Sequence, residues 1–267
     1  ASSKNFEVLT GLMSQVTRHC ADKVGALRQI SICGNACGNV ALCGMKIERT
    51  AIGPFGTNCY LLSADGSADC AVVDAPPGAA SLLLPVLKKR GLRLAAILLT
   101  HGHWDHNGGV AGLLAGTRDM QDSPPEVFAH IADLDCHEHP EKFMAWYKAA
   151  IPDLGDDDFP AFKVSRWLAD GETFPLLGKT WTAFHVPGHC PGSLVYYCAD
   201  EKKAWTGDAV FAGSIGRTDL PGGDFSTLEK AIREKVYTLP DETALFPGHG
   251  PATSVGEEKS SNPFVRP

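Results

Sequence analysis

The sequence is short of the features that mark a membrane protein, a nucleic-acid binder or a disulfide-stapled scaffold. Its 267 residues hold no apolar run near the roughly 18 that a membrane-spanning helix needs. No basic start followed by an apolar stretch opens the chain, so no secretory signal is read. Positive charge is scarce as well: 24 Lys and Arg stand against 31 Asp and Glu, a formal net charge of -7. That balance disfavours a partner held by phosphate neutralisation, although a metal could still set a local field for a small anion. Pattern is missing from the nine cysteines, at positions 20, 33, 37, 43, 59, 70, 136, 190 and 198, whose odd count and irregular spacing argue against a disulfide framework. Free thiols in a reducing cytoplasm are expected, with a small-molecule substrate and no nucleic-acid or membrane partner. No pattern specifies an oligomeric state.

What is present is ordinary in bulk and unusual in places. Hydrophobic residues make up 44% and charged residues 21%, and the length suffices for a sizeable core without staples. Residues 1–44 form an extension of unknown role, including the Gly- and Cys-rich "SICGNACGNVALCG". Cys20, Cys33, Cys37 and Cys43 lack a Cys-x-x-Cys pair, so a zinc or cluster site there is not favoured. Composition changes at Met45, and residues 45–267 read as one domain. Apolar runs in "NCYLLSA", "CAVVDA", "LAAILLT", "VFAH", "WTAFHVPG", "SLVYYCA", "KAWTGDAV" and "TALFPGHG" predict strands. Helices are expected in "AASLLLPVLKKRG", "GGVAGLLAG", residues 130–150 and "STLEKAIREKVYTL". The mixture implies an α/β fold with a largely buried sheet core.

Four of these strands end in the same way: a turn follows, and a metal-type ligand sits at it. "AAILLT" leads to His101, "TAFHVPG" to His189, "KAWTG" to Asp208 and "TALFPG" to His249. Such strand ends are where α/β proteins build sites. Gly188, Gly207 and Gly248 each precede a ligand and allow tight turns. In "HGHWDH", alternate residues of an extended loop point the same way, so His101 and His103 can meet one metal. Asp105 and His106 lie further along and can meet a second. Seven ligands result: His101, His103 and His189 for one ion, Asp105, His106 and His249 for the other, and Asp208 between them. Neutral imidazoles and carboxylates suit zinc first, with iron or manganese as alternatives. A bridging carboxylate and a bridging water fit two-metal hydrolysis. A lone histidine such as His249 would ordinarily be a surface or core residue; the clustered run is what gives it meaning.

The combination resembles the metallo-β-lactamase-fold hydrolases, and within them the short glyoxalase II-like, hydroxyacylglutathione hydrolase-type branch. The residues that carry the likeness are "TNCYLL", "VVDAPPG", "LLTHGHWDHNGG", "VPGHCPGS", "TGDAVFAGSIGRTDLPGGD", "FPGHGPATSVGEEK" and "NPFVRP". The resemblance covers residue 45 to the end and implies an αββα sandwich with a dimetal site at one edge. It also implies that Asp74 orients a ligand histidine. The sequence departs from the pattern in "DAPPG", in Cys190 where Thr is usual, and in having no counterpart to the glutathione-binding C-terminal helical region of the longer enzymes.

The activity so implied is hydrolysis of an activated carbonyl, foremost a thioester such as S-lactoylglutathione, with Asp105 and Asp208 as catalytic carboxylates. A lactonase or β-lactamase-type hydrolase is the first alternative, a mononuclear iron persulfide dioxygenase the second. Around the metals, Arg217 and Asp219 are expected to pair and brace a loop, with substrate binding by Arg217 as the other reading. Phe211, Trp104 and Ile215 are candidates for the pocket mouth. "CHEHPEKFMAWYK" lies where a substrate lid would form, and Phe143, Trp146 and Tyr147 are expected to turn an aromatic edge to the pocket.

Overall fold

The computed structural model describes residues 28–29, 44–155 and 158–267. Two sheets face each other and helices cover both outer faces. The first sheet runs in sequence order from β1 (Arg28–Gln29) through β2 (Met45–Ile52), β3 (Thr57–Ala64), β4 (Asp69–Val73), β5 (Arg93–Leu98) and β6 (Glu126–Ala129) to β7 (Arg166–Trp167). Pairing is antiparallel from β1 to β4 and parallel from β4 to β7. The second sheet has the order β15 (Thr253–Ser254), β14 (Ala244–Pro247), β11 (Lys203–Gly207), β10 (Leu194–Cys198), β9 (Lys179–His185), β8 (Glu172–Leu176). A small ribbon pairs β12 (Val210–Phe211) with β13 (Ser214–Ile215).

Strand alternation explains why both faces of each sheet are apolar. Leu62, Val73 and Leu98 point between the sheets and meet Trp181, Tyr196 and Trp205 from the other side. Their neighbours Leu61, Val72 and Ile97 point outward onto Leu83 and Leu87 of α1 (Ala79–Arg90) and Leu113 of the Val110–Thr117 helix. Val195, Ala204 and Leu245 do the same for the second sheet, against Leu228, Ile232 and Val255. Strands buried on both faces read as continuous apolar runs, and "LAAILL" and "CAVV" do so. These layers make the αββα sandwich.

One expectation is corrected. Residues 130–150 are not one helix: a short 3-10 turn precedes Leu134–Glu138, a second spans Pro140–Lys142, and Met144–Ala150 follows. Pro140 has no N–H to donate, and His139 before it takes φ -134, ψ 49. Strand β8 has no apolar run to announce it, because Pro175 interrupts "ETFPL". It is an edge strand, where a missing donor is tolerated. Cys59, Cys70, Cys136, Cys190 and Cys198 are free thiols. Cys20, Cys33, Cys37 and Cys43 lie outside the described residues.

Candidate metal centre

Strand ends of both sheets deliver the histidines and carboxylates to one edge. His101 follows β5 after two further residues, His106 closes the turn that begins there, and Asp208 follows β11 directly. His249 follows β14 after Gly248, and His189 lies beyond β9. The structure thus brings together all seven residues singled out by sequence. His103 Nδ1 lies 3.0 Å from His101 Nε2 and 3.0 Å from His189 Nε2, and the latter two nitrogens are 3.3 Å apart. In the second group, Asp105 Oδ2 lies 3.5 Å from His106 Nε2 and 3.4 Å from His249 Nε2, with 3.3 Å between those nitrogens. Asp208 touches both: its Oδ1 is 3.4 Å from His106 Nε2, its Oδ2 3.5 Å from His249 Nε2 and 3.6 Å from His189 Nε2.

A metal ion fits this donor set. A tetrahedral ion with imidazole nitrogens at about 2.0–2.1 Å spaces its ligand atoms by roughly 3.3 Å. Asp208 Oδ1 is buried and makes no hydrogen bond, an arrangement that is costly without a cation. Glycine keeps the cradle open: a Cβ at Gly248 would stand 2.3 Å from Asp208 Oδ1 and 2.5 Å from His106 Cε1.

The outer nitrogens of His101, His106 and His189 each have a partner, which leaves their inner nitrogens to face a metal. His106 Nδ1 lies 2.8 Å from Asp74 Oδ2, and His189 Nδ1 donates to the Arg217 carbonyl at 2.8 Å. Thr100 Oγ1 donates to Asp74 at 2.8 Å and sits 3.1 Å from His101 Nδ1. Asp74 also accepts the Thr100 amide, and it holds a left-handed φ of 56 to do so. Thr57, just beyond the β2–β3 turn, donates to Asp105 Oδ2 at 2.7 Å. Burial and the neighbouring histidines push His101 down and His103 to about 3. Burial also acts against ionised His106 and His249. The surrounding carboxylates overcome it and raise them to about 9 and about 10. Against the same burial, the histidines hold Asp208 at about 2 and Asp105 lower still.

Sequence reasoning missed Asp133. This buried carboxylate accepts the amides of Gly102 and Gly192, both at 2.7 Å, and the Cys190 thiol at 3.2 Å. It therefore ties the loop between His101 and His103 to the loop after His189. Burial raises its pKa, with the thiol and the two amides acting in opposition. Thr57 and Thr100 were missed too, although Thr100 stands beside the first histidine.

The remaining candidates separate. Arg217 and Asp219 form a two-pronged pair at 2.7 Å on both arms, so the guanidinium is engaged and the carbonyl holds His189. Phe211 lies with its ring centroid 6.0 Å from that of His249. Ile215 is half-buried and packs against the helix-covered side of the second sheet. Trp104 is buried: its indole N–H donates to the Asp158 carbonyl, and its ring packs on Tyr147 and Phe159. Beside His103 opens a cavity of about 420 Å³ whose wall includes Phe143, Trp146 and Tyr147.

With this geometry in place, similarity to known proteins is informative. The sequence profile of the Metallo-beta-lactamase superfamily matches residues 52–249. The chain belongs to this superfamily. It is 35% identical over 226 residues to the hydroxyacylglutathione hydrolase GloC of Haemophilus influenzae, across 83% of this chain and 98% of that one. The crystal structure of the BLEG-1 B3 metallo-beta-lactamase is similar at a TM-score of 0.70 and 34% identity, covering 82% of this chain and 99% of that one. The structure of TTHA1623 in a di-iron-bound form is similar at a TM-score of 0.64 and 34% identity, covering 81% and 99%. The chain is a metallo-hydrolase whose His and Asp groups could hold metal. No helix among the described residues is long and apolar enough to cross a membrane.

Proposed function

We propose that this metallo-hydrolase is dinuclear and cleaves an activated carbonyl, foremost a thioester of the S-lactoylglutathione type. The observation that carries the reading is the pair of three-atom ligand groups joined by Asp208. The relative from Haemophilus influenzae, a hydroxyacylglutathione hydrolase, supports the substrate class. The di-iron neighbour supports two ions.

In this reading His101, His103 and His189 hold one ion and Asp105, His106 and His249 the other, with Asp208 shared. Bound zinc, or iron or manganese in its place, supplies water activation near neutral pH and positive charge for the developing oxyanion. The chain's own residues do the positioning. Asp74, Thr100 and the Arg217 carbonyl fix the ring orientations of His106, His101 and His189. Thr57 steadies Asp105, which stays ionised and can accept a hydrogen bond from the attacking water. The test is metal content measured beside turnover of S-lactoylglutathione, for the wild type and for His101→Ala. Loss of both in the variant is expected; full turnover by a metal-depleted variant would refute the reading.

The similarity to a B3 metallo-beta-lactamase favours a second reading, a lactonase or β-lactamase-type hydrolase on the same residues. Homoserine lactones and nitrocefin in the same assay separate the two.

A further inference from the structure

The cavity beside His103 has a chemistry of its own. At about 420 Å³ it falls within the range of roughly 300–1,000 Å³ typical of small-molecule sites. The apolar part of its wall comes from Phe143, Trp146, Tyr147, Pro191, Leu220 and Pro221. Trp146 is 41% exposed. Tyr147 meets it edge-on, with centroids 4.9 Å apart. The wall is anchored to the metal loop, because the Trp104 amide, between His103 and Asp105, donates to the Tyr147 hydroxyl at 2.9 Å. Under it, Trp104, Tyr147 and Phe159 form a separate small apolar core, so the wall is supported rather than loose.

Charge in the cavity points the same way. Among the described lining residues Lys142 is the one lysine or arginine, and its Nζ is bound to Asp135 at 2.7 Å. Asp133 and Asp135 leave the lining with a negative balance. The guanidinium of Arg217 is held by Asp219. A glutathione moiety carries two carboxylates and one ammonium, and the one lysine of these walls is already paired with Asp135. An uncharged ring or branched chain would instead bury apolar surface against Trp146.

We infer that this cavity is the specificity subsite and takes an uncharged apolar group next to the scissile carbonyl. The inference rests on the thioester reading above. The reaction itself is plain hydrolysis: the oxygen of water bonds to the carbonyl carbon, the C–S bond breaks, and the thiolate leaves to take up a proton. No further reactant is needed.

The experiment compares kcat/KM of the metal-loaded full chain on four thioesters. They are S-acetyl- and S-phenylacetyl-N-acetylcysteamine, benzyl thioacetate, and S-lactoylglutathione. The wild type is expected to favour one of the two aromatic esters over S-acetyl-N-acetylcysteamine by at least about 10-fold, mainly through KM, and the favoured ester tells which end of the substrate enters. Trp146→Ala should collapse that ratio toward one. Asp135→Asn, a surface change that frees Lys142, should raise the ratio of S-lactoylglutathione to the favoured aromatic ester. Equal kcat/KM for the aromatic and acetyl esters overturns the inference and leaves the thioester reading standing, as does an aromatic preference that survives Trp146→Ala. Failure to hydrolyse any of the four thioesters overturns the thioester reading and the inference with it.

Discussion

Asp133 and Asp74 show how single residues can hold a metal site without being among its ligands. Asp133 replaces water for two buried amides on the loops that carry His101, His103 and His189. Asp133→Ala would strand both donors, each at a cost of about 1–3 kcal/mol. Metal affinity should fall by roughly 10–100-fold, as for other partners behind a ligand shell, while the seven candidate ligands stay intact. Chelator competition and thermal unfolding on the same variant check it; unchanged affinity with lowered stability would reduce Asp133 to a structural part. The difference in legibility between residues has a physical origin. His101, His103, Asp105 and His106 are recognisable because one short run must supply several ligands. Asp133 meets backbone amides, which every sequence has, so nothing near it in the chain announces its role.

At the scale of elements, two contacts give sharp expectations. Glu48 on β2 accepts both arms of Arg90, at the end of α1, at 2.5 and 2.9 Å. The Arg90 hydrogen bond holds the Glu48 carboxyl below its ordinary value, outweighing burial. A depressed carboxylate contributes stability above its unfolded pKa and loses it as pH falls through the folded one. Glu48→Gln should therefore cost on the order of 1 kcal/mol at pH 7, since Arg90 is partly solvated, and the gap to wild type should close as pH drops below about 4. Denaturant unfolding at the two pH values decides it. Gly188 has φ 122, and a Cβ there would stand 2.4 Å from the Leu228 amide in the Phe225–Ala231 helix. Gly188→Ala should shift that helix or the His189 loop and lower metal occupancy; an unperturbed variant would show that the packing has slack.

Helix and strand periods explain which elements were legible. The doubly buried strands and α1 stand out as apolar runs bounded by Gly91 and by turns. The segment after His130 looks helical residue by residue, yet Pro140 divides it. Strand β8 is disguised by Pro175 because its ladder is incomplete at the sheet edge. In each case the deciding term is a missing backbone donor, which a count of apolar residues does not register.

Over the whole molecule, the αββα layering places the ends of β5, β11 and β14 at one edge, and this joins residues 148 positions apart, from His101 to His249. Class and layer order follow from the strand and helix patterns with the family resemblance. The cavity beside His103 does not, since its walls come from the Phe143–Tyr147 segment, Pro191 and the Leu220 turn, whose meeting is a tertiary fact. Metal should stabilise the fold by mass action: ion at about 100 times its Kd adds roughly 2.7 kcal/mol, so chelation should lower the unfolding temperature by a matching amount. The most direct measurement is metal stoichiometry taken together with S-lactoylglutathione turnover, for wild type and Asp208→Ala. A dinuclear hydrolase predicts about two divalent ions per chain, and loss of one shared carboxylate should lower both occupancy and turnover. Full turnover at one ion or none per chain, or an Asp208→Ala variant as active as wild type, would contradict it.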